Sequence, residues 1–193
     1  MFSNRTEIDD IEVFNQWPGG PGIEYKTPTV IAYASENRNY DISDDQWGYM
    51  VRGGMTSYLW TKLLLDRNAS VQQNDDPALR DYFGSGLMTL PRSKTANDVC
   101  RDYLKHLYKH LINRLEKKTT TLQITPIEVW VTVPAIWSPA AKNATLEAAK
   151  SAGFGSRAHL GDSINVIAEP EAAALTILKP RMGVSDLDTN QKV

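Results

Sequence analysis

Histidine, cysteine, serine and glycine build most metal, nucleophilic and nucleotide sites, and in this sequence each falls in a pattern that removes a class of chemistry. His106 and His110 stand four apart, as a zinc-binding helix would place them, but Leu107 occupies the position where the protease motif needs a glutamate, and His159 is distant. At about 100° per residue both histidines fall to one side of an apolar helix face centred near Cys100 and Leu111, which predicts a solvated helix flank rather than a metal site. Cys100 points into that face and reads as core, not nucleophile. As the single cysteine it excludes an internal disulfide and any multi-cysteine metal site, and fits a reducing compartment. No Gly-x-Ser-x-Gly elbow occurs, and Gly84-Ser85-Gly86 reads as a turn. A Walker loop and a Gly-x-Gly-x-x-Gly fingerprint are both absent. What remains is a longer arrangement between Glu128 and Leu175, carried by secondary structure.

Ile127 to Val133 is rich in β-branched residues, reads as a buried strand, and stops at Pro134. Ser138-Pro139 is a cap followed by a first-turn proline, Ala140 to Ala152 is rich in helix formers, and Gly153 ends that helix. Ile164 to Ala168 forms a further strand, and Glu169-Pro170-Glu171 opens a second helix through Leu175. This alternation predicts an α/β sheet with crossover connections. Upstream, apolar residues from Val99 to Leu115 recur at three- and four-residue steps, the strongest helix signal in the chain, with Asn97 or Asp98 able to cap its start and Lys117-Lys118 complementing its end. The runs Ile11–Phe14 and Thr29–Tyr33, separated by the Gly- and Pro-rich segment 15–22, are expected to pair in a sheet. Ser35 to Asp45 reads as loop, Asn68 to Asp81 as a flexible excursion, and the tail Gly183 to Val193 as loose, whereas Tyr58 to Leu65, with Lys62 at its middle, does not choose between helix and strand.

The 193 residues, 41% hydrophobic with a formal net charge of −2, suit a globular domain and not a protein that neutralises phosphate backbones, so no nucleic-acid partner is expected. No apolar run approaches roughly 18 residues, and the polar, acidic beginning lacks the apolar stretch of a signal peptide, so no membrane association and a cytoplasmic location are expected. The sequons at Asn4, Asn68 and Asn143 then read as chance occurrences.

The stretch Val129-Trp130-Val131-Thr132-Val133-Pro134-Ala135, then Ala141-Lys142-Asn143-Ala144-Thr145, then Ala152-Gly153-Phe154, then Ile167-Ala168-Glu169-Pro170-Glu171-Ala172-Ala173-Ala174, resembles the Hsp70 family. A strand ending Thr-Val-Pro-Ala, a basic residue before x-Ala-Thr, an Ala-Gly turn and a strand ending Glu-Pro-x-Ala-Ala-Ala follow one another at family spacing, which is more specific than any one of them. Lys26-Thr27-Pro28-Thr29-Val30-Ile31 looks like the family's Thr-Pro-Ser-x-Val strand entry, and Lys62 in Thr61-Lys62-Leu63-Leu64-Leu65 looks like its Ala-Lys-Arg-Leu segment. The tryptophans and the Lys-Leu-Leu-Leu-Asp wording suggest the divergent, HSPA-twelve-like branch.

The resemblance implies an incomplete actin-like ATPase lobe, of ribonuclease-H-like architecture, with a mixed sheet and flanking helices over residues 1–180, an inserted subdomain at 35–125, and ATP and Mg²⁺ as cofactors. It implies that Lys62 is catalytic, reaching the γ-phosphate and helping to orient water, where an ammonium offsets developing negative charge; the alternative is a surface lysine on an amphipathic segment. It implies that Glu169 belongs to the Mg²⁺ shell through water, as suits a cation that keeps its hydration, while a carboxylate opening a helix is also stabilised by the dipole. Pro134 and Lys142 match the proline and arginine that relay nucleotide state in the family; lysine keeps the charge but loses the planar fork. The family's Asp-x-Gly-Thr-Thr and Asp-x-Gly-Gly-Gly-Thr phosphate loops are expected just before Ile11 and just after Val193, outside the sequence. Without their backbone donors the chain is expected to be inactive alone. Client proteins or co-chaperones are the implied partners, along with a second lobe or partner chain, and the alternative function is a non-catalytic interaction scaffold.

Overall fold

The computed structural model describes residues 2–3, 11–66 and 87–182. The excursion at Asn68–Asp81, the turn at 84–86, the tail at 183–193 and the sequons at Asn4 and Asn68 lie outside the described residues. The chain divides into two compact units, Met1–Leu107 and Tyr108–Val193.

In the first unit, β1 (Phe2–Ser3) pairs antiparallel with β2 (Ile11–Glu12). The expected pairing of the Ile11 run with the Thr29 run does not occur. β3 (Val30–Ala32) lies between β4 (Gln46–Trp47) and β5 (Tyr58–Leu59), both antiparallel to it, so both of its edges are taken. The intervening segment closes on itself instead: Glu24 N–H donates to the Asn15 carbonyl at 2.8 Å and Trp17 Nε1 to the Glu24 carbonyl at 2.8 Å. Ile31, Tyr33, Tyr58 and Val99 form one apolar cluster. Beneath the loop that follows β3, buried Asn37 donates from Nδ2 to the Tyr33 and Thr56 carbonyls and accepts Thr56 N–H at Oδ1, so both ends of its amide are satisfied.

Helix α1 (Ala96–Lys118) extends the predicted span at both ends. Its cap is neither Asn97 nor Asp98 but Thr95: Thr95 Oγ1 accepts Asp98 N–H at 3.2 Å, while the Asp98 carboxylate accepts Thr95 N–H at 3.0 Å. This is a capping box with aspartate in the reciprocal position, which needs the cap three residues before the acid. The histidines do not form a solvated flank either. Both are half-buried, and the His106 ring stacks on Trp47 with centroids 6.2 Å apart and an interplanar angle of 19°. For His106 the cause is Trp47, which β4 places edge-on to Tyr103 and alongside His106, widening the buried stripe beyond its aliphatic residues.

The second unit is a β–α–β–α arrangement. β6 (Glu128–Val133) and β7 (Ser163–Ala168) run parallel, joined through α2 (Pro139–Ala152), and α3 (Glu169–Met182) follows β7 directly. Ser138 Oγ accepts Ala141 N–H at 3.2 Å, Pro139 occupies the first turn, and Gly153 ends α2 with φ +115°. A Cβ on Gly153 would come within 2.9 Å of the Tyr108 ring, so the residue is required by space as well as by torsion. Phe154 packs edge-on against the same ring at 4.9 Å.

β6 was expected to be a buried strand, and it is not. Glu128, Trp130 and Thr132 are exposed, Val129 and Val131 half-buried and Val133 buried, the alternation of a strand covered on one face. Trp130 is 56% exposed. At the amino ends of the two strands, Arg157 donates from Nε and Nη2 to both carboxylate oxygens of Asp162, at 2.9 and 3.0 Å, from Nη1 to the Leu122 carbonyl at 2.7 Å and from Nη2 to the Thr125 carbonyl at 3.0 Å. Asp162 Oδ1 also accepts Ile127 N–H at 2.8 Å, and Ser163 N–H donates to the Ile127 carbonyl. Among the described residues, no helix is long and apolar enough to cross a membrane.

Because this ion pair is bidentate and its carboxylate almost fully buried, Arg157→Ala strands an acid in the protein. The variant should lose about 3 kcal/mol of unfolding free energy in urea titration, and Arg157→Lys should recover only part of it.

Candidate functional site

The register of β6 and β7 determines what stands at their carboxyl ends. Val133 is paired with Ala168, so the next residues, Pro134 and Glu169, leave the sheet side by side. In open α/β sheets the carboxyl ends of parallel strands are where ligands bind, since helices begin there and present unpaired N–H groups. Both α2 and α3 begin at this end. Glu169 is exposed at the first residue of α3, with Glu171 in the same turn, so two carboxylates meet the positive end of the helix.

Pro134 is half-buried and opens a tight turn in which Trp137 N–H donates to the Pro134 carbonyl at 3.3 Å. Trp137 is buried and anchors the turn, while Ile136 at its tip is 93% exposed. Lys142, one turn into α2, reaches back with Nζ to the Ala135 carbonyl at 3.3 Å. The structure thus brings Pro134, Lys142 and Glu169 to one end of one unit. Lys142 makes a single-donor contact there, which suits an ammonium; a guanidinium could span two acceptors.

Lys62 lies in the first unit. Strand β5 ends at Leu59, Trp60 turns left-handed with φ +57°, and a 3-10 turn over Thr61–Leu65 carries Lys62, half-buried. The segment that resisted assignment from sequence is therefore two residues of strand followed by a tight turn. Leu63 and Leu64 pack on the cluster of Leu59, Leu87 and Met88, and buried Thr61 places Oγ1 3.7 Å from Cys100 Sγ. Burial pushes the Cys100 thiol up to about 11, against the opposing effects of the Thr61 hydrogen bond and the Lys62 charge. A thiol held protonated in the core is no nucleophile.

One charged group of consequence was not visible in the sequence. Asp102 on α1 accepts from Lys94 Nζ at 2.7 Å, from Tyr33 Oη at 3.1 Å and from Arg101 at 2.9 and 3.1 Å, while Lys94 lies 4.6 Å over the Tyr33 ring. The network ties the end of β3 to α1. Only Arg101-Asp102 was adjacent in sequence; Tyr33 reaches the acid across 69 positions, a distance that no local pattern reports. Among the described residues no group of three or more His, Cys, Asp or Glu side chains is placed to hold a metal ion.

The geometry defines a mixed α/β protein with a parallel β–α–β unit whose carboxyl end gathers a proline turn, a lysine and a helix-opening glutamate. No family model matches the sequence, and no solved structure matches it. Curated proteins do. Over 94% of its length the chain is 27% identical to human (Homo sapiens) heat shock 70 kDa protein 12B, 26% to human heat shock 70 kDa protein 12A and 25% to mouse (Mus musculus) heat shock 70 kDa protein 12A. These likenesses, over nearly the whole chain, are to the divergent 12A/12B branch of the Hsp70 family and support a domain similar to it. It spans about a quarter of the length of these relatives, 26% of the human 12B protein and 27% of each 12A protein.

The Asp102 network gives the first unit an acid dependence. Burial alone would raise the Asp102 pKa, but its hydrogen bonds with Lys94, Arg101 and Tyr33 and the Lys94 charge outweigh burial and hold it below the ordinary 3.8. A carboxyl whose folded pKa is depressed stabilises the fold fully above its unfolded value, and that contribution disappears as pH falls through the folded one. Urea midpoints should therefore drop as the pH is lowered below about 4, and Asp102→Asn should flatten that drop while costing stability at neutral pH.

Proposed function

We propose that the chain is part of an Hsp70-like nucleotide-binding lobe of actin-like, ribonuclease-H-like architecture, with residues 1–180 forming the lobe and 35–125 an inserted subdomain. The protein to which such a lobe belongs would bind and hydrolyse Mg-ATP in a chaperone-like cycle, engaging client proteins or co-chaperones. The observation that carries the reading is the carboxyl end of β6 and β7, where Pro134, Lys142 and Glu169 stand together in the family's order on a parallel β–α–β–α frame.

The residues suit the roles that the resemblance implies. Glu169 is exposed, as a carboxylate must be to accept from water held by Mg²⁺, and an ion that keeps most of its hydration needs no cage of direct protein ligands. Lys62 supplies a compact positive charge for a phosphoryl oxygen from a turn braced on both sides. Magnesium, when bound, neutralises charge developing on the β- and γ-phosphates. Pro134 fixes the exit direction of β6, and Lys142 holds the next carbonyl, so a displacement of either strand end would be passed to the start of α2. The two glycine-rich phosphate hairpins of the family are not among the 193 residues, so the backbone donors they supply must come from elsewhere.

A second reading, an interaction scaffold without catalysis, draws on the exposure of Trp130 and Ile136, large apolar side chains on the same unit.

Isothermal titration with Mg-ATP separates the two. The nucleotide reading expects weak binding with Kd on the order of 1 mM, diminished severalfold by Lys62→Ala. Binding indifferent to Lys62→Ala, or no heat at ten times that concentration together with capture of a defined protein in a pull-down, would favour the scaffold.

A further inference from the structure

Among the described residues, the non-glycine positions with positive φ are Trp60, at +57°, and Met88, at +51°. The left-handed region brings Cβ against the backbone carbonyl, so large side chains rarely occupy it and persist there only where the surroundings over-determine the backbone. The two residues belong to one place in the fold. Met88 N–H donates to the Leu59 carbonyl at 3.0 Å, Leu87 bridges Leu59, and Trp60 packs on the cluster that Leu59, Leu87 and Met88 form. Trp60 is also the residue from which the Lys62 turn departs: its carbonyl accepts Leu63 N–H at 3.0 Å, closing that turn.

Had Trp60 kept an extended conformation, β5 would have continued past Leu59 and alternate residues would have faced opposite sides of the sheet. The left-handed step breaks that alternation. It sends Thr61 inward to Cys100 and leaves Lys62 half-buried on the turn between buried Thr61 and Leu63, which packs on the apolar cluster. Met88 meets the same break from the opposite side, its own left-handed backbone aligning N–H with the last carbonyl of β5.

We propose that Trp60 and Met88 are positioning residues for Lys62: their paired left-handed backbones fix the turn that aims its ammonium at a phosphate-bearing ligand. This rests on the reading of Lys62 as a phosphate-contacting group, and it adds the constraint that sets its direction. The constraint lies in the backbone torsion, not in the bulk of the indole ring or the thioether.

The test compares substitutions that separate torsion from bulk. Glycine adopts the left-handed region without penalty, whereas isoleucine keeps apolar volume but is β-branched and avoids it. The chain is labelled with acetic anhydride, with and without millimolar Mg²⁺ and inorganic tripolyphosphate, and acetylation of Lys62 is followed by mass spectrometry, with thermal melts run alongside. Tripolyphosphate is expected to protect Lys62 in the wild type, to protect it within about twofold of that level in Trp60→Gly, and to give no protection in Trp60→Ile. The reverse order, or equal protection in both variants, overturns the proposal by assigning the effect to side-chain bulk or to neither. Loss in both overturns it as well. Absence of protection in the wild type removes the underlying reading of Lys62, and the proposal with it. Met88→Gly and Met88→Ile make the same comparison from the other side of the break, and decide it if a Trp60 variant melts below the labelling temperature.

Discussion

The placement of the second unit's candidate residues depends on an ion pair at the opposite end of the strands. Arg157 and Asp162 close the amino ends of β6 and β7, and through the Leu122, Thr125 and Ile127 backbones they hold the chain entering one strand against the chain entering the other. Side chains in a strand alternate with a period of two, so a slip of one residue would turn every side chain to the other face. It would also separate Pro134 from Glu169, which leave the sheet together only because Val133 pairs with Ala168. A buried bidentate pair contributes less to net stability than its distances suggest, since both charges lose water. Its contribution here is to register.

The first unit is built on a different principle. Its three-stranded sheet has very short strands and limited apolar cover, and polar contacts over long separations complete it: Asn37 to Thr56, Tyr58 Oη to Glu36 at 2.8 Å, and Tyr33 with Lys94 to Asp102. Each fixes a loop that the strands are too short to constrain. Lys62 sits in this unit, on a turn braced by the contact of Thr61 with Cys100 and by left-handed steps at Trp60 and Met88. In both units, the residues that the Hsp70 resemblance singles out are held by groups at which sequence motifs do not point.

Sequence reading succeeded where local signals determine structure. The spacing of Val99, Tyr103 and Leu107 marked α1, Ser138-Pro139 marked the start of α2, and Gly153 marked its end, because periodicity, capping and a left-handed stop act within a few residues. It failed where the answer lay in tertiary contact. The pairing of β3 was misjudged because β4 and β5 compete for its edges across loops that carry no pattern. The burial of β6 was overestimated because an apolar run does not state how many of its faces are covered. His106 was misplaced because Trp47, nearly sixty positions upstream, supplies its partner ring. Of the candidate site, Pro134, Lys142 and Glu169 were legible as a motif order, while their convergence needed the parallel register.

We propose that the carboxyl end of β6 and β7 faces a metal-bound phosphate. Paramagnetic broadening of backbone amide signals by Mn²⁺ in the presence of ATP tests it directly, since the effect falls steeply with distance from the ion. The account predicts selective broadening at Ala135, Glu169 and Glu171, with the amides near Arg157 and Asp162 unaffected. Broadening centred on the amino ends of the strands, or uniform across the unit, would contradict it.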